Sequence, residues 1–533
     1  MTAGFDYVIV GAGAAGCVVA ARLAEDPGIR IAVIEAGGQD SAVQIRIPGA
    51  NVATGSDPRF NWSYQTDPVP ELGDRKLYWA QGRILGGSGS INGMMYLRGH
   101  PADYDQWAAM GCAGWGHRDL LPYFRKSETN ERGASDLHGG DGPMQVCAGQ
   151  ATAPICDIFL EAAASAGFTV TDDLNKDMAQ GFGHVDMTIG GGRRSSTSAA
   201  FLHPAVARGN VTVQTTALVT RVVIEGGVAR GVDYVQKGQT RRLMADRAVV
   251  LCGGAVNSPQ LLMLSGIGPA NQLRALGLPV HADRPEVGQN LQNHPMYKLM
   301  FATTAPVTAY SHAQPLGAAK AGLQYLLGRR GVLARGLFPT AGFLQADPGD
   351  ASTEVQVCMA PAPMIRHKPG VLGILPREHG FTLLLNIGSP HSRGVVQLAS
   401  ADPTAPARIR PEFFSDPRDI GILARGARRT LDIVHSGPLA PILGRQLDAR
   451  GPIGTEAQIA ADIRASAGTH YHACGTCRMG ADDGAVVDPQ LRVRGVDRLF
   501  VADASIMPDL VNGNTYAASV MIGEKAADLI RAA

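Results

Sequence analysis

At 533 residues the chain has room for about two to four domains, and 45% hydrophobic against 18% charged residues describes a globular protein with a large core, not a disordered one. With 48 basic and 47 acidic residues its formal net charge is +1, and nothing in that balance points to a nucleic-acid or acidic-membrane partner. Short basic pairs such as Arg193-Arg194 and Arg241-Arg242 read as solvated faces.

The first predicted element is a strand, Phe5 to Val10, starting too close to Met1 to leave room for a cleavable signal. It runs into Gly11-Ala12-Gly13-Ala14-Ala15-Gly16, a helix follows, and a second apolar run, Ile31 to Ile34, ends on Glu35. This is the βαβ unit that binds a dinucleotide. Gly11 allows the tight turn, Gly13 lets a pyrophosphate approach the backbone, and Gly16 lets the helix pack against the strand. The helix N-terminus offers free N–H groups to phosphate, and Glu35 stands where a carboxylate accepts hydrogen bonds from a ribose diol.

Next comes a polar excursion punctuated by Gly and Pro, residues 37–81, whose length suits a cover over the cofactor. It ends at Gly82-Arg83-Ile84-Leu85-Gly86-Gly87-Ser88-Gly89-Ser90-Ile91-Asn92, where small residues let backbone pass close to a flat ring. Strands are predicted at Val211–Gln214, Arg221–Ile224, Gly231–Val235 and Ala248–Leu251, with a hairpin turn at Glu225-Gly226-Gly227. Ala248 to Leu273 carries no charge, but Gly253-Gly254, Pro259 and Gly266-Ile267-Gly268 break it, so a strand, turn and short helix is expected and no transmembrane segment. From about 290 to 460 the pattern turns to short strands and helices, with Thr382–Ile387 and Gly394–Leu398 as strands of a second sheet. Tyr471-His472-Ala473-Cys474-Gly475-Thr476-Cys477-Arg478-Met479-Gly480 follows. Arg498–Asp503 then reads as a buried strand closed by an acid, and Ala518 to Ala533 as a final helix.

The opening βαβ unit, the Gly82–Asn92 loop, Gly254–Gly268 and the C-terminal segments around His472, Asp503-Ala504-Ser505 and Asn512-Gly513-Asn514-Thr515 resemble, in order, the glucose–methanol–choline (GMC) family of FAD-dependent oxidoreductases. The resemblance spans about residues 5 to 530. It implies an α/β (overall α+β) fold: a Rossmann-like FAD-binding domain at 1–290 and 465–533, and a substrate domain with an antiparallel sheet and helices at 291–464. It implies FAD contacts from Gly11, Gly13, Ala14, Ala15, Gly16, Glu35, Ala36, Arg83, Gly86, Gly87, Asn92, Gly93, Val219, Asp503, Ala504 and Thr515. Backbone N–H groups of Asn92 and Gly93 are expected near the flavin's reactive edge. Some family members tether the flavin through a histidine at the position held here by Ile91; isoleucine cannot make that bond, so FAD is expected to be non-covalent.

The resemblance makes His472 and Asn514 the catalytic pair. An alcohol hydroxyl is about as weakly acidic as water, with a pKa of about 15.7, so hydride departure to flavin N5 needs a base for the hydroxyl proton. Imidazole, with a pKa of about 6.5, suits that role, and a neutral Asn514 amide can orient the same oxygen. His470, His472 and Cys474 would share one face of a strand, near Cys477. A zinc site or a redox-active Cys474–Cys477 pair is the lesser reading, and His470 reads as a residue that supports His472 from behind or lines the substrate pocket. The eight scattered cysteines suit reduced thiols in a cytoplasmic protein.

The expected activity is oxidation of the CH–OH group of a small alcohol or polyol, most like the branches that include choline, sorbose, pyridoxine and aryl- or furfuryl-alcohol enzymes. The electron acceptor is a quinone, a dye or oxygen. An oxygen-using oxidase, a non-redox FAD-containing hydroxynitrile lyase and an NAD enzyme on the same fingerprint are the alternatives. Neither oligomeric state nor substrate identity follows from the residues.

Overall fold

In a computed structural model, residues 4–176, 181–350, 354–364, 378–447 and 450–533 are described. The chain forms a mixed α/β structure around two seven-stranded sheets. The first is parallel at its centre. Val211–Gln214, Ile31–Ile34, Phe5–Val10, the C-terminal half of Gln239–Leu251, and Leu499–Val501 lie side by side and point the same way. Their inner stretches, Tyr7–Val10, Ile31–Ile34, Ala248–Leu251 and Leu499–Val501, are apolar and buried, as in a parallel sheet covered by helices. The N-terminal half of Gln239–Leu251 leaves the parallel core and pairs antiparallel with Val228–Gln236, which in turn pairs with Ala217–Glu225 through the Gly226-Gly227 turn. The helix Ala14–Leu23 packs against the C-terminal helix Thr515–Arg531 closely enough that a Cβ on Gly523 would stand 2.8 Å from the Ala15 carbonyl oxygen.

The second sheet is antiparallel, in the order Leu443–Gln446, Pro295–Thr303, Gly380–Ile387, Glu354–Ala360, Thr340–Gln345, Gly181–His184, with Gly468–Thr469 also pairing to Pro295–Thr303. Side chains alternate across it. Tyr297, Leu299, Phe301, Val355, Val357, Leu383 and Leu385 face the core shared with the helices Ile155–Ser165 and Pro417–Val434. Met296, Gln356, Cys358, Leu384 and Asn386 belong to the opposite face. The strand Gly181–His184 and the helix Ile155–Ser165 thus lie with the second sheet, although their numbers fall within 1–290.

Two local expectations are corrected. Val395–Gln397 does not join the second sheet; it pairs with Arg408–Arg410 in a two-stranded ribbon of its own. The segment after Thr469 is no strand either. Tyr471 takes a left-handed φ of 64°, which breaks the alternation expected of His470, His472 and Cys474.

Candidate active site and cofactor cleft

At the carboxyl ends of the parallel strands lies a cleft of about 410 Å³, within the usual range for a ligand site. Gly11, Gly13, Ala14, Ala15, Glu35, Ala36, Arg83, Gly87, Val219, Asp503, Ala504 and Thr515 line it, whereas Gly16, Gly86, Asn92 and Gly93 do not. The three fingerprint glycines divide the work. Gly11 has φ +99°, and a Cβ there would come within 2.5 Å of the Cys252 carbonyl oxygen; on Gly16 it would come within 2.1 Å of the Gly11 oxygen. Those two close the turn on itself. A Cβ on Gly13 would meet no protein atom nearer than 3.8 Å, so its surface is left for a ligand. Gly13 caps the helix without a side-chain hydrogen bond, leaving first-turn N–H groups available to phosphate.

Glu35 is buried, and its two carboxylate oxygens accept the N–H groups of Ala12 (2.9 Å) and Gly37 (2.7 Å). Each oxygen keeps a second lone pair, which suits a ribose diol. Asp503 clamps the far side, accepting from Gly254 N–H, the Ser258 hydroxyl and Ser505 N–H. From the excursion, Trp62 and Tyr64 stack at 5.6 Å and line the cleft with Trp79 and Gln81, and the Arg83 guanidinium lies 4.7 Å over the Trp62 ring. Open glycine surface, a pinned carboxylate and an aromatic wall fit a flavin dinucleotide.

The Gly82–Asn92 loop presses on the first turn. Gly86 (φ +84°) donates to the Ala12 carbonyl at 2.7 Å, and a Cβ on Gly87 (φ +54°) would stand 2.7 Å from Gly13 Cα. Arg194 ties this loop down. Its guanidinium is buried and donates to the Ile45 and Gly89 carbonyls and to both oxygens of Asn92; burial lowers its pKa to about 10. The solvated-face reading of Arg193-Arg194 is therefore corrected for Arg194, though Arg193 is exposed. Ile91 sits in an apolar cluster with Ile45, Phe60 and Ile84.

His472 and Asn514 are brought together, with Nε2 of the imidazole 3.1 Å from the Asn514 amide nitrogen. A third residue, missed in the sequence, completes the arrangement: His294, whose Nδ1 is 2.8 Å from His472 Nδ1 and whose Nε2 is 3.0 Å from the Gly388 carbonyl. The directions can be assigned by elimination. Only an N–H of His294 can bond the Gly388 carbonyl, and burial pushes that ring's pKa down to about 3, so it is neutral and its Nδ1 is a lone pair. His472 must then donate from Nδ1, which leaves its Nε2 unprotonated and facing the Asn514 amide. The Gln356 amide in turn donates to Asn514 Oδ1 at 3.2 Å. Burial, then the neighbouring His470 and His294, holds the His472 pKa well below the ordinary histidine value. Asn293 fixes the backbone, accepting the His472 N–H and donating to Thr469 Oγ1.

The His470 ring lies 4.8 Å from that of His472, and its Nδ1 has no partner. Burial lowers its pKa to about 4. Cys474 and Cys477 are separate buried thiols with pKa values raised by burial, and the described groups that could gather round a metal do not include them. Facing the pair, Gln356 and Asn386 are cross-strand partners in the second sheet. Gln356 Oε1 and both polar atoms of the Asn386 amide are buried without partners.

The chain is similar in sequence and fold to known proteins. Family models described as GMC oxidoreductase cover residues 5–296 and 390–523. The chain is 42% identical to the mitochondrial choline dehydrogenase of Homo sapiens over 99% of its length and 90% of that protein. Among solved structures, pyridoxine 4-oxidase from Mesorbium loti superposes with a TM-score of 0.87 at 32% identity, covering 98% of this chain and 99% of that one. An Aspergillus oryzae formate oxidase, in a study of its FAD modification, gives 0.91 at 27% identity, covering 100% and 98%.

Proposed function

The chain belongs to the GMC oxidoreductase family and is an FAD-dependent enzyme that oxidises the CH–OH group of an alcohol; from that premise we propose that His472 is the base, that Asn514 orients the hydroxyl, and that the substrate is a neutral polyol. The single observation that carries the reading is the relay Gly388–His294–His472–Asn514, which leaves one unprotonated nitrogen, His472 Nε2, facing an amide donor. A substrate hydroxyl that replaces the 3.1 Å hydrogen bond between them donates its proton toward Nε2 and accepts from the Asn514 amide. Bound FAD supplies the acceptor for the carbinol hydrogen. His472 takes the hydroxyl proton at Nε2 while its Nδ1–H stays bonded to His294, so no heavy atom needs to move.

The substrate class rests on the unpartnered atoms. A buried amide without partners costs about 1–3 kcal/mol, a cost that a ligand able to donate and accept relieves. Gln356 Oε1, the Asn386 amide and His470 Nδ1 ask for such groups beside the reacting carbon, and vicinal hydroxyls provide both. Choline, the substrate in the name of the human relative, carries a fixed positive charge instead. Glu354, on the same face of the strand Glu354–Ala360 as Gln356, has its pKa raised to about 9 by burial and then by Asp103, so with no cation beside it among the described residues the carboxyl is neutral at pH 7.

Anaerobic titration of the flavin absorbance with sugar alcohols, simple primary alcohols and choline tests this. Polyols should bleach it at the lowest concentration. Asn386→Leu should raise the polyol Kd about tenfold with the melting temperature equal or higher, since an orphaned amide is removed. Bleaching by choline at least as well as by polyols would contradict the substrate class. With Ile91 packed in an apolar cluster the FAD is held non-covalently, and denaturation should release all yellow colour through a filter that retains the chain.

A further inference from the structure

The helix Pro315–Gly328 is out of keeping with its setting. Leu316, Leu323, Leu326 and Leu327 are 88, 58, 82 and 80% exposed, and Ala321 is its single buried residue. Their offsets of 7, 10 and 11 residues place all four within one arc of about 100°. Isolated exposed leucines need no explanation, but four on one stripe form a patch that a soluble surface does not keep without a use.

The charge around the patch indicates what covers it. From residue 287 to residue 346 the chain contains no Asp or Glu, although acids and bases are nearly equal overall. Lys320, Arg329 and Arg330 are exposed on or just after the helix, and Arg193 is exposed beside Gly192, whose carbonyl accepts the Tyr325 hydroxyl at 3.1 Å. Two copies facing each other through this helix would set these cations against their own kind.

We propose that the helix Pro315–Gly328 is an interfacial membrane anchor: its leucine stripe lies in the headgroup–acyl boundary of an anionic bilayer while Lys320, Arg329, Arg330 and Arg193 meet the lipid phosphates. At 14 residues, about 21 Å, it lies in the surface and does not cross it, and no described helix is long and apolar enough to span. The anchor sits near the chemistry. Just past the turn Val332–Ala334, Gly336 packs so that a Cβ there would be 3.2 Å from the Gly93 carbonyl, at the end of the loop that presses on the fingerprint turn.

Flotation of the FAD-loaded protein with phosphatidylcholine vesicles, with and without phosphatidylglycerol, tests the anchor. The protein should float with the phosphatidylglycerol vesicles, less with pure phosphatidylcholine, and less again at high salt. Leu323→Glu/Leu326→Glu/Leu327→Glu should lower the bound fraction about tenfold or more, and Arg329→Gln/Arg330→Gln about fivefold per charge, with flavin content, melting temperature and dye-linked oxidation unchanged. If the leucine variant fails to fold, the arginine variant alone decides. Wild-type protein that stays in solution, or variants that float as well as wild type, would overturn the proposal. So would a wild-type dimer that the leucine variant turns into monomers in sedimentation velocity, since the helix would then cover a second copy.

Discussion

At the scale of single residues, the proposed roles of His472 and Asn514 depend on a hydrogen-bond direction that begins outside the two of them. The Gly388 carbonyl fixes His294, and His294 fixes His472. His294→Ala removes the acceptor for His472 Nδ1–H, freeing the ring to take the wrong tautomer. The expected loss in kcat/KM is roughly 10- to 100-fold, the equivalent of one hydrogen bond in the transition state. Recovery of a large part of that loss in His294→Gln, whose Oε1 can accept, together with a restored pH profile, is the check that separates tautomer control from packing. His472 and Asn514 were legible because each sits in a short stretch of characteristic residues. His294 was not: its partner lies 178 positions away, and a histidine in a mixed apolar stretch looks like any core histidine. Arg194, Gln356 and Asn386 were hidden for the same reason, since a polar residue in a strand or turn shows its burial only once the other strands are in place.

At the scale of elements, turns were easier to read than strand partners. Gly11, Gly13 and Gly16 could be assigned separate jobs because a turn's sterics are local, and the glycine-to-backbone distances show the same division. Val395–Gln397 has a strand's composition, but nothing local distinguishes a place in the large sheet from its pairing with Arg408–Arg410. Around Tyr471 the left-handed residue defeated a period-two reading, although His470 and His472 still meet because the kink folds one ring against the other. Gly87 gives the sharpest test at this scale. Ala at position 87 would need φ near +54° and would place its Cβ 2.7 Å from Gly13 Cα, backbone that cannot give way cheaply. Gly87→Ala should cost about 2–4 kcal/mol of stability and leave the purified protein depleted in FAD, read from its visible absorbance against total protein.

For the whole molecule, the two sheets meet at the site: the parallel sheet provides the cleft, and the antiparallel one the face opposite His472. A buried charge network stands apart from that chemistry. The Arg98 guanidinium donates to Glu128, and the His138 ring bonds Glu128 at one nitrogen and Asp173 at the other, at 3.0 and 2.9 Å. Burial alone would discharge that ring, but the hydrogen bonds it donates to Asp173 and Glu128 outweigh it and raise its pKa to about 9. His138 with Asp173 and Asp186 has the spacing of a metal site, yet a ring protonated on both nitrogens has no lone pair for a metal. A raised folded-state pKa stabilises fully below the unfolded value of about 6.5, and that contribution fades as pH rises through about 9. The melting temperature should therefore fall between those pH values, and His138→Gln should flatten the slope while costing about 1–2 kcal/mol at pH 6. The overall charge balance, by contrast, concealed the acid-free stretch from 287 to 346, because a mean over 533 residues says nothing about where charges gather.

The claim that joins these scales is that His472 removes the hydroxyl proton as the alcohol reduces bound FAD. Anaerobic stopped-flow mixing of the holoenzyme with a polyol, followed at the flavin's visible absorbance band, tests it most directly. Wild-type flavin should bleach in a saturable phase, and His472→Ala, with its FAD content intact, should slow that phase about 10²- to 10⁴-fold. Equal bleaching rates in the two proteins, or no bleaching of the wild type by any alcohol, would contradict the account.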